Sequence, residues 1–295
     1  MPDAAHIFDT RLLTERRNRA ADSARAHDFL LRRVAEDFAE RLAIVRRSFP
    51  VALDLGCHHG VLGREIGAAA SVGRLISLDP SEAMLAQAAP PRVAGQLDAL
   101  PFAEGSLDLV VSGLSLHFVD DLPGALIQIR RALKPDGLLL AALLGGRTLH
   151  ELREAWLLAE DEVAGGASPR VAPFADVRDL GGLLQRAGFA LPVSDSDVVS
   201  VTYSDPLALM RDIKGMGAAN MLTARRRVPV TRRLLMRACE IYVERFGLDN
   251  GRVPATFEIL TLTAWAPHES QQKPLKPGSA KTRLADVLGV PERKV

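Results

Sequence analysis

Apolar residues recur along this chain with two periods. Leu30, Val34, Phe38, Leu42 and Val45 fall at helical spacing, with Arg32, Arg33, Glu36, Asp37 and Glu40 between them. That pattern predicts an amphipathic helix laid on a sheet and ending near Phe49-Pro50. Short apolar runs follow: VALDL from Val51, GRLISLD ending at Asp79, QLDALPF around Asp98, SLDLVVSGLSLHFV and LLLAALLG at 138–145. Helical segments are predicted between them at 61–70, 81–89 and 121–134, and Pro135-Asp136-Gly137 is a turn signal. The near-continuous apolar character of the fourth run is that of a parallel strand buried on both faces. Strands separated by helices give an α/β fold, a parallel sheet with helices on both faces.

The pattern changes at both ends of this core. Residues 1–26 show no strong apolar period, and IFDTRLLTERRNRAA reads equally as a helix across the mouth of a ligand site or as a solvated arm. Beyond Gly145-Gly146-Arg147, TLHELREAWLLAEDEVA is helical, with Leu149, Leu152, Trp156 and Leu157 expected on one face. DVRDLGGLLQRAGF is a second helix closed by Gly188, and DPLALMRDIKGMGAAN and RRLLMRACEIYVERF are two more. VVSVTYS and VPATFEILTLTAWAP read as strands. The chain therefore divides into an N-terminal helical segment (1–48), a nucleotide-binding core (49–145), a substrate or lid extension returning to the sheet (146–270) and a polar tail (271–295).

Bulk properties narrow the function. With 37 Lys and Arg against 36 Asp and Glu, the formal charge is +1, so global electrostatics nominate neither nucleic acid nor membrane. No apolar run approaches a membrane span, which leaves only peripheral association open. Two cysteines without pairing or metal spacing, and a beginning that reads as neither signal nor transit peptide, predict a cytoplasmic protein. The arginines at 225–227, 232 and 233 are read as a solvated basic face, with an acidic dock as the alternative.

The chemistry gathers around VALDLGCHHG, Val51 to Gly60. Strand, glycine turn and helix open a nucleotide-binding βαβ unit: glycines let backbone approach a ligand, and the helix N-terminus offers free N–H groups. Asp79 lies where a ribose-binding acid belongs, and Gly56, Asp79, Asp98 and Ser112 are expected together at the carboxyl edge of the sheet. His117 follows the fourth strand; its imidazole is a candidate general base, or else packs on Phe118 and bonds Asp120 or Asp121. Arg147 is a candidate anchor for a substrate carboxylate, or else a surface arginine at a helix start. No metal site is expected, because adjacent His58 and His59 are poorly placed to face one ion.

The ordered set DLGCHHG, LDPSEAML, LDALPF, LDLVVSGLSLHF and ALKPDGLLL resembles the class I S-adenosylmethionine (SAM) dependent methyltransferases. The resemblance implies a Rossmann-like, mostly parallel seven-stranded sheet, N-terminal helices, a C-terminal lid and SAM as cofactor. It gives Asp54, Gly56, Cys57 and Gly60 to the turn under the cofactor. Asp79 and Pro80 fall at the ribose, Met84, Asp98, Ala99 and Leu100 around the adenine, and Ser112 beside them. His58 departs from the family, which commonly has a third glycine there. IKGMGAAN and REAW are similar to the malonyl-carrier-protein methyltransferase of biotin synthesis. IFDTRLLTERRNRAA and PATFEILTLTAWAPHESQQKPLKPGSA look more like a second branch, that of the mitochondrial complex I assembly factor with methyltransferase fold and its bacterial relatives. That branch implies a protein substrate, an iron–sulfur subunit of complex I, and arginine hydroxylation. Three functions stay open: an enzyme of this second branch, a small-molecule or carrier-protein methyltransferase, and a SAM-binding assembly factor without turnover.

Overall fold

The computed structural model describes residues 6–67 and 71–272, with five isolated positions in the tail beyond. Seven strands form one sheet in the order β3-β2-β1-β4-β5-β7-β6. β1 (Phe49–Leu55), β2 (Val72–Asp79), β3 (Arg92–Ala94), β4 (Leu107–Gly113) and β5 (Leu133–Leu144) run parallel. β7 (Val253–Trp265) enters antiparallel between β5 and β6 (Ala190–Tyr203). Alternate residues of each central strand feed opposite cores. Leu109 and Val111 pack on one side, Leu107 and Val110 on the other; Leu138, Leu140 and Ala142 are likewise opposed to Leu139, Ala141 and Leu143. The apolar run therefore satisfies two buried faces, and its strand order reverses at β1/β4, where ligands bind such sheets.

Helices cover both faces: α1 (Thr10–Ala20), α2 (Phe29–Ile44), α3 (Val61–Ile66), α4 (Glu82–Leu85), α5 (Leu122–Ala132), α6 (His150–Ala164), α7 (Val177–Arg186), α8 (Pro206–Gly215) and α9 (Arg232–Phe246). Leu30, Val34, Phe38 and Leu42 of α2 are buried as the spacing predicts. Several expectations need correction. Leu157 is exposed, because at 3.6 residues per turn it stands about 140° round the helix from Leu152 and about 100° from Trp156. β3 ends at Ala94 and does not reach Asp98. Pro135-Asp136-Gly137 does not precede β5 but bulges within it: Asp136 takes φ +65°, and pairing jumps from Leu107↔Leu133 to Leu109↔Leu138. Part of the helix expected at 61–70, and most of the tail at 271–295, lies outside the described residues.

The N-terminal segment is strapped across the carboxyl edge of the sheet rather than solvated. Asp120 accepts from Ile7 N at 3.0 Å and Phe8 N at 3.1 Å; Phe8 bridges Leu222; Asp9 caps α1 and pairs with Arg225 at 3.1 Å. Arg225 is thus a structural tie, not part of a solvated basic face. Asn18 Oδ1 accepts from Ser81 Oγ at 2.6 Å and Ala83 N at 3.3 Å, docking α1 on the β2–α4 turn.

Candidate active site

The glycine turn between β1 and α3 sets the site. Gly56 and Gly60 take φ +72° and +79°, and a Cβ on Gly56 would stand 2.4 Å from Ser115 Cβ. Only glycine combines that conformation with that approach. His58, at the place of the family's third glycine, adopts φ +50° and is buried. Its Nε2–H is shared between Gly113 O at 3.1 Å and Ser115 Oγ at 2.9 Å, and Ser115 Oγ in turn donates to Gly56 O at 3.0 Å. Burial, then the nearby Arg17, keeps His58 well below its ordinary range and neutral. His59 points elsewhere, toward Asp28 and Arg64, so the pair does not face one ion.

Asp79, fully buried at the end of β2, accepts from His58 N at 3.0 Å and Ser81 N at 2.8 Å. Arg17 of α1, 1% exposed, lies over it with Nη1 3.5 Å from Oδ2. Burial raises the Asp79 carboxyl and lowers the Arg17 guanidinium, each against the pull of the other's charge. Asp54, at the end of β1, is equally buried, and neither oxygen has a well-formed hydrogen bond. Burial, then the Asp79 carboxylate, pushes it up to about 7, against a weaker pull down from the Gly63 amide.

A cavity of about 60 Å³ opens beside this network, bordered by Arg17, His58, Met84, Leu114, His117 and Phe118. It shares Leu30, Phe118, Leu144, Met216 and Ala218 with an apolar chamber of about 250 Å³, walled further by Leu152, Trp156, Phe174, Met221 and Phe257. Arg170 stacks on Trp156 at 4.8 Å and is fixed by buried Glu160, which also accepts from Ser168 Oγ at 2.9 Å. Glu160→Gln is expected to loosen this wall and lower stability by about 2 kcal/mol, the worth of hydrogen bonds to a charged group. Urea denaturation checks it, and an unchanged midpoint would contradict the assignment.

His117 lies on this border. Its ring packs 4.0 Å from Phe118 and 5.5 Å from Phe174. Nδ1 accepts from Leu144 N at 3.4 Å, so the proton of the neutral ring sits on Nε2, which is buried without a partner. Asp120 and Asp121 are committed to the N-terminal strap and to capping α5, so neither orients the ring. Burial, then Arg17, lowers His117 to about 3. The neutral side chain therefore carries an unpartnered hydrogen-bond donor at Nε2, on a residue that lines the cavity. NMR of the imidazole is expected to show no titration between about pH 5 and 8; a midpoint near the ordinary ~6.5 would contradict this reading.

Of the residues singled out from sequence, Met84 and His117 line the cavity. Gly56, Cys57, Gly60 and Asp79 are buried and do not line it. Cys57 Sγ leans on His58 O, and burial raises its thiol. Ser112 is buried within the sheet, donating to Leu55 O at 2.7 Å. Pro80 and Leu100 are half-buried. Asp98 and Ala99 are exposed on the loop after β3, and Arg147 is exposed with only its backbone N–H bonded, to Glu258; none of the three lines either cavity. Arg17, Asn18 and Ser115 were not found from sequence. For Arg17 the signal is its helical spacing from Leu13 and Ala20, the other buried residues of α1.

A methyltransferase-domain family model matches residues 53–141. Arginine-hydroxylase NDUFAF5, mitochondrial, of Danio rerio is 40% identical over 96% of this chain and 89% of its own; the Homo sapiens protein is 39% identical over 97% and 84%. The chain belongs to the class I SAM-dependent methyltransferase family. A malonyl-[acyl-carrier protein] O-methyltransferase of Halorhodospira halophila is 34% identical over 99% of both chains. The YcgJ protein of Bacillus subtilis shares the fold, with TM-score 0.55 at 13% identity over 80% of this chain and 99% of that one. The family cofactor is SAM, and the residues here fit it: a carboxylate at the β2 end, a turn that a single Cβ would obstruct, and an orphaned acid behind that turn. Among the described residues no cluster of three His, Cys, Asp or Glu gathers to hold a metal, and no helix is long and apolar enough to cross a membrane.

Proposed function

We propose that this chain is a SAM-dependent enzyme acting on a side chain or prosthetic arm of a protein substrate. The supporting observation is the continuity of the cofactor cavity with the apolar chamber through Phe118, Leu144 and Met216. Asp79 would hold the ribose hydroxyls, the backbone around Gly56 and Gly60 would approach the amino-acid portion, and Met84 would pack on the nucleoside. When bound, SAM supplies an activated methyl on its sulfonium. The chain's own part is to orient the acceptor within the chamber, exclude water by its apolar walls, and donate from His117 Nε2.

Likeness to the arginine hydroxylases over nearly the whole chain favours a protein arginine as target, and the resemblance to the complex I assembly branch adds an iron–sulfur subunit of complex I as the protein that carries it. One observation favours the second reading, methylation of a carboxylate on a carrier protein. Arg17, Arg170 and histidines line the two cavities, and among the described residues no Asp or Glu does, so a guanidinium would meet no counter-charge from them there. Two buried free thiols suit a reducing compartment such as the bacterial cytoplasm.

Mass spectrometry separates the readings. The protein is incubated with SAM and either a complex I iron–sulfur subunit or a malonyl-loaded carrier protein, in air with reductant, since oxygen insertion needs both. Addition of one oxygen to arginine supports hydroxylation; addition of one CH₂ to the malonyl group supports carboxyl methylation. Cofactor binding with neither product would overturn both in favour of an assembly factor without turnover.

A further inference from the structure

Two helices bring cations to one pocket. α1 carries Arg16 and Arg19, and α8 carries Arg211 and Lys214, each pair three residues apart and so on one helix face. With Ser23 and His27, from the connection between α1 and α2, they line a cavity of about 450 Å³ whose remaining wall is small residues. Among the described residues no Asp or Glu lines it. His27 borders the cofactor cavity as well, and its Nδ1 is bonded to Asp212.

The positive charge there is poorly balanced. Lys214 is exposed and makes no ion pair among the described residues. Arg211 reaches Asp205 only at 3.8 Å, and Arg19 meets Glu15 at 3.5 Å, an acid that Arg11 also takes at 3.4 Å. Exposed pairs of this kind contribute little. Half-buried Arg16 donates to a neutral partner, the carbonyl of Asn220. Burial, then the charges of Arg225 and Arg19, lowers its guanidinium, against a weaker pull up from Asp9. Cations crowded round a concave space, with no acid in its wall, focus a field that draws an anion from outside.

Space and charge together select the anion. About 450 Å³ lies within the ~300–1,000 Å³ of small-ligand sites. A carboxylate brings one charge and two oxygens. A phosphate ester brings up to two charges and three terminal oxygens, enough for donors from both helices. We propose that this pocket is a phosphate site, taking a phosphate group, free or as the end of a small ester, between Arg16 and Arg19 on one side and Arg211 and Lys214 on the other. The site stands apart from the cofactor reading and does not depend on it. A ligand seated there ties α1, which straps the carboxyl edge of the sheet, to α8.

Calorimetric titration of the full chain with phenyl phosphate, inorganic phosphate and citrate, in a chloride buffer of low ionic strength, tests this. Phosphate is expected to bind at one site per chain. Tighter binding of phenyl phosphate identifies an ester as the ligand, and equal binding of the two identifies free phosphate. Arg19→Met and Lys214→Met, both at exposed positions, should each weaken binding at least ~5-fold, since a charge-assisted bond is lost. Arg233→Met, at an exposed position outside the pocket, should leave it unchanged and so controls for net charge. No binding of either phosphate, unchanged affinity in Arg19→Met and Lys214→Met, equal weakening in all three variants, or citrate bound as tightly as phosphate would each overturn the proposal.

Discussion

Gly56→Ala is expected to abolish measurable cofactor binding and to lower stability by about 2–5 kcal/mol. Two costs combine. The backbone at φ +72° is strained for any L side chain, about 1–2 kcal/mol. The new Cβ would also fall 2.4 Å from Ser115 Cβ and 2.5 Å from its Oγ, which forces an overpacked core to shift for a further ~1–3 kcal/mol. Ser115 cannot move without disturbing Gly56 O, His58 Nε2 and Arg17, the three groups it joins. The control is Gly105→Ala, at φ +61° with nothing within 4 Å: it carries the conformational cost alone and should leave binding intact. Denaturant unfolding and calorimetry read the two effects, and wild-type affinity in Gly56→Ala would refute this account of the turn.

Asp54 is expected to make the free protein lose stability as pH rises. Its carboxyl ionises at about 7 in the folded chain against 3.8 ordinarily, so the folded state holds a proton that the unfolded state has released. The stability this confers is fully present below about pH 4, is lost between about pH 4 and 7, and stays lost above, a change on the order of 4 kcal/mol. Asp54→Asn has no proton to lose, so wild-type stability should fall relative to the variant across that window. A flat difference would contradict the unpartnered carboxyl. In the proposed site SAM would bring a sulfonium and an ammonium toward the turn, and cations favour the ionised form. Its binding below pH 7 is therefore expected to release a proton, seen as a dependence of calorimetric heat on the buffer's ionisation enthalpy.

How much of this was legible in the sequence follows from what each residue answers to. Period and turn chemistry are local, so Leu30 to Leu42, the run 107–113 and the Gly56–Gly60 turn read correctly. Asp79 was placed correctly at the end of an apolar strand, which it directly terminates. Asp98 does not end a strand, because β3 is a three-residue edge strand that stops at Ala94. His117 was located but its chemistry was not: which nitrogen carries the proton depends on Leu144 N, 27 residues away. Arg17 was hidden for the same reason. In a segment dense with arginine, only the tertiary approach of α1 to β2 distinguishes a buried cation from its solvated neighbours.

The most direct measurement is calorimetric titration of S-adenosylhomocysteine into the full wild-type chain and into Asp79→Ala, with circular dichroism to show that the variant is folded. We expect one site per chain in the wild type and a loss of about two orders of magnitude in the variant, since two hydrogen bonds to a buried carboxylate disappear. No heat with the wild-type chain, or the same affinity in both, would contradict a cofactor site built on Asp79.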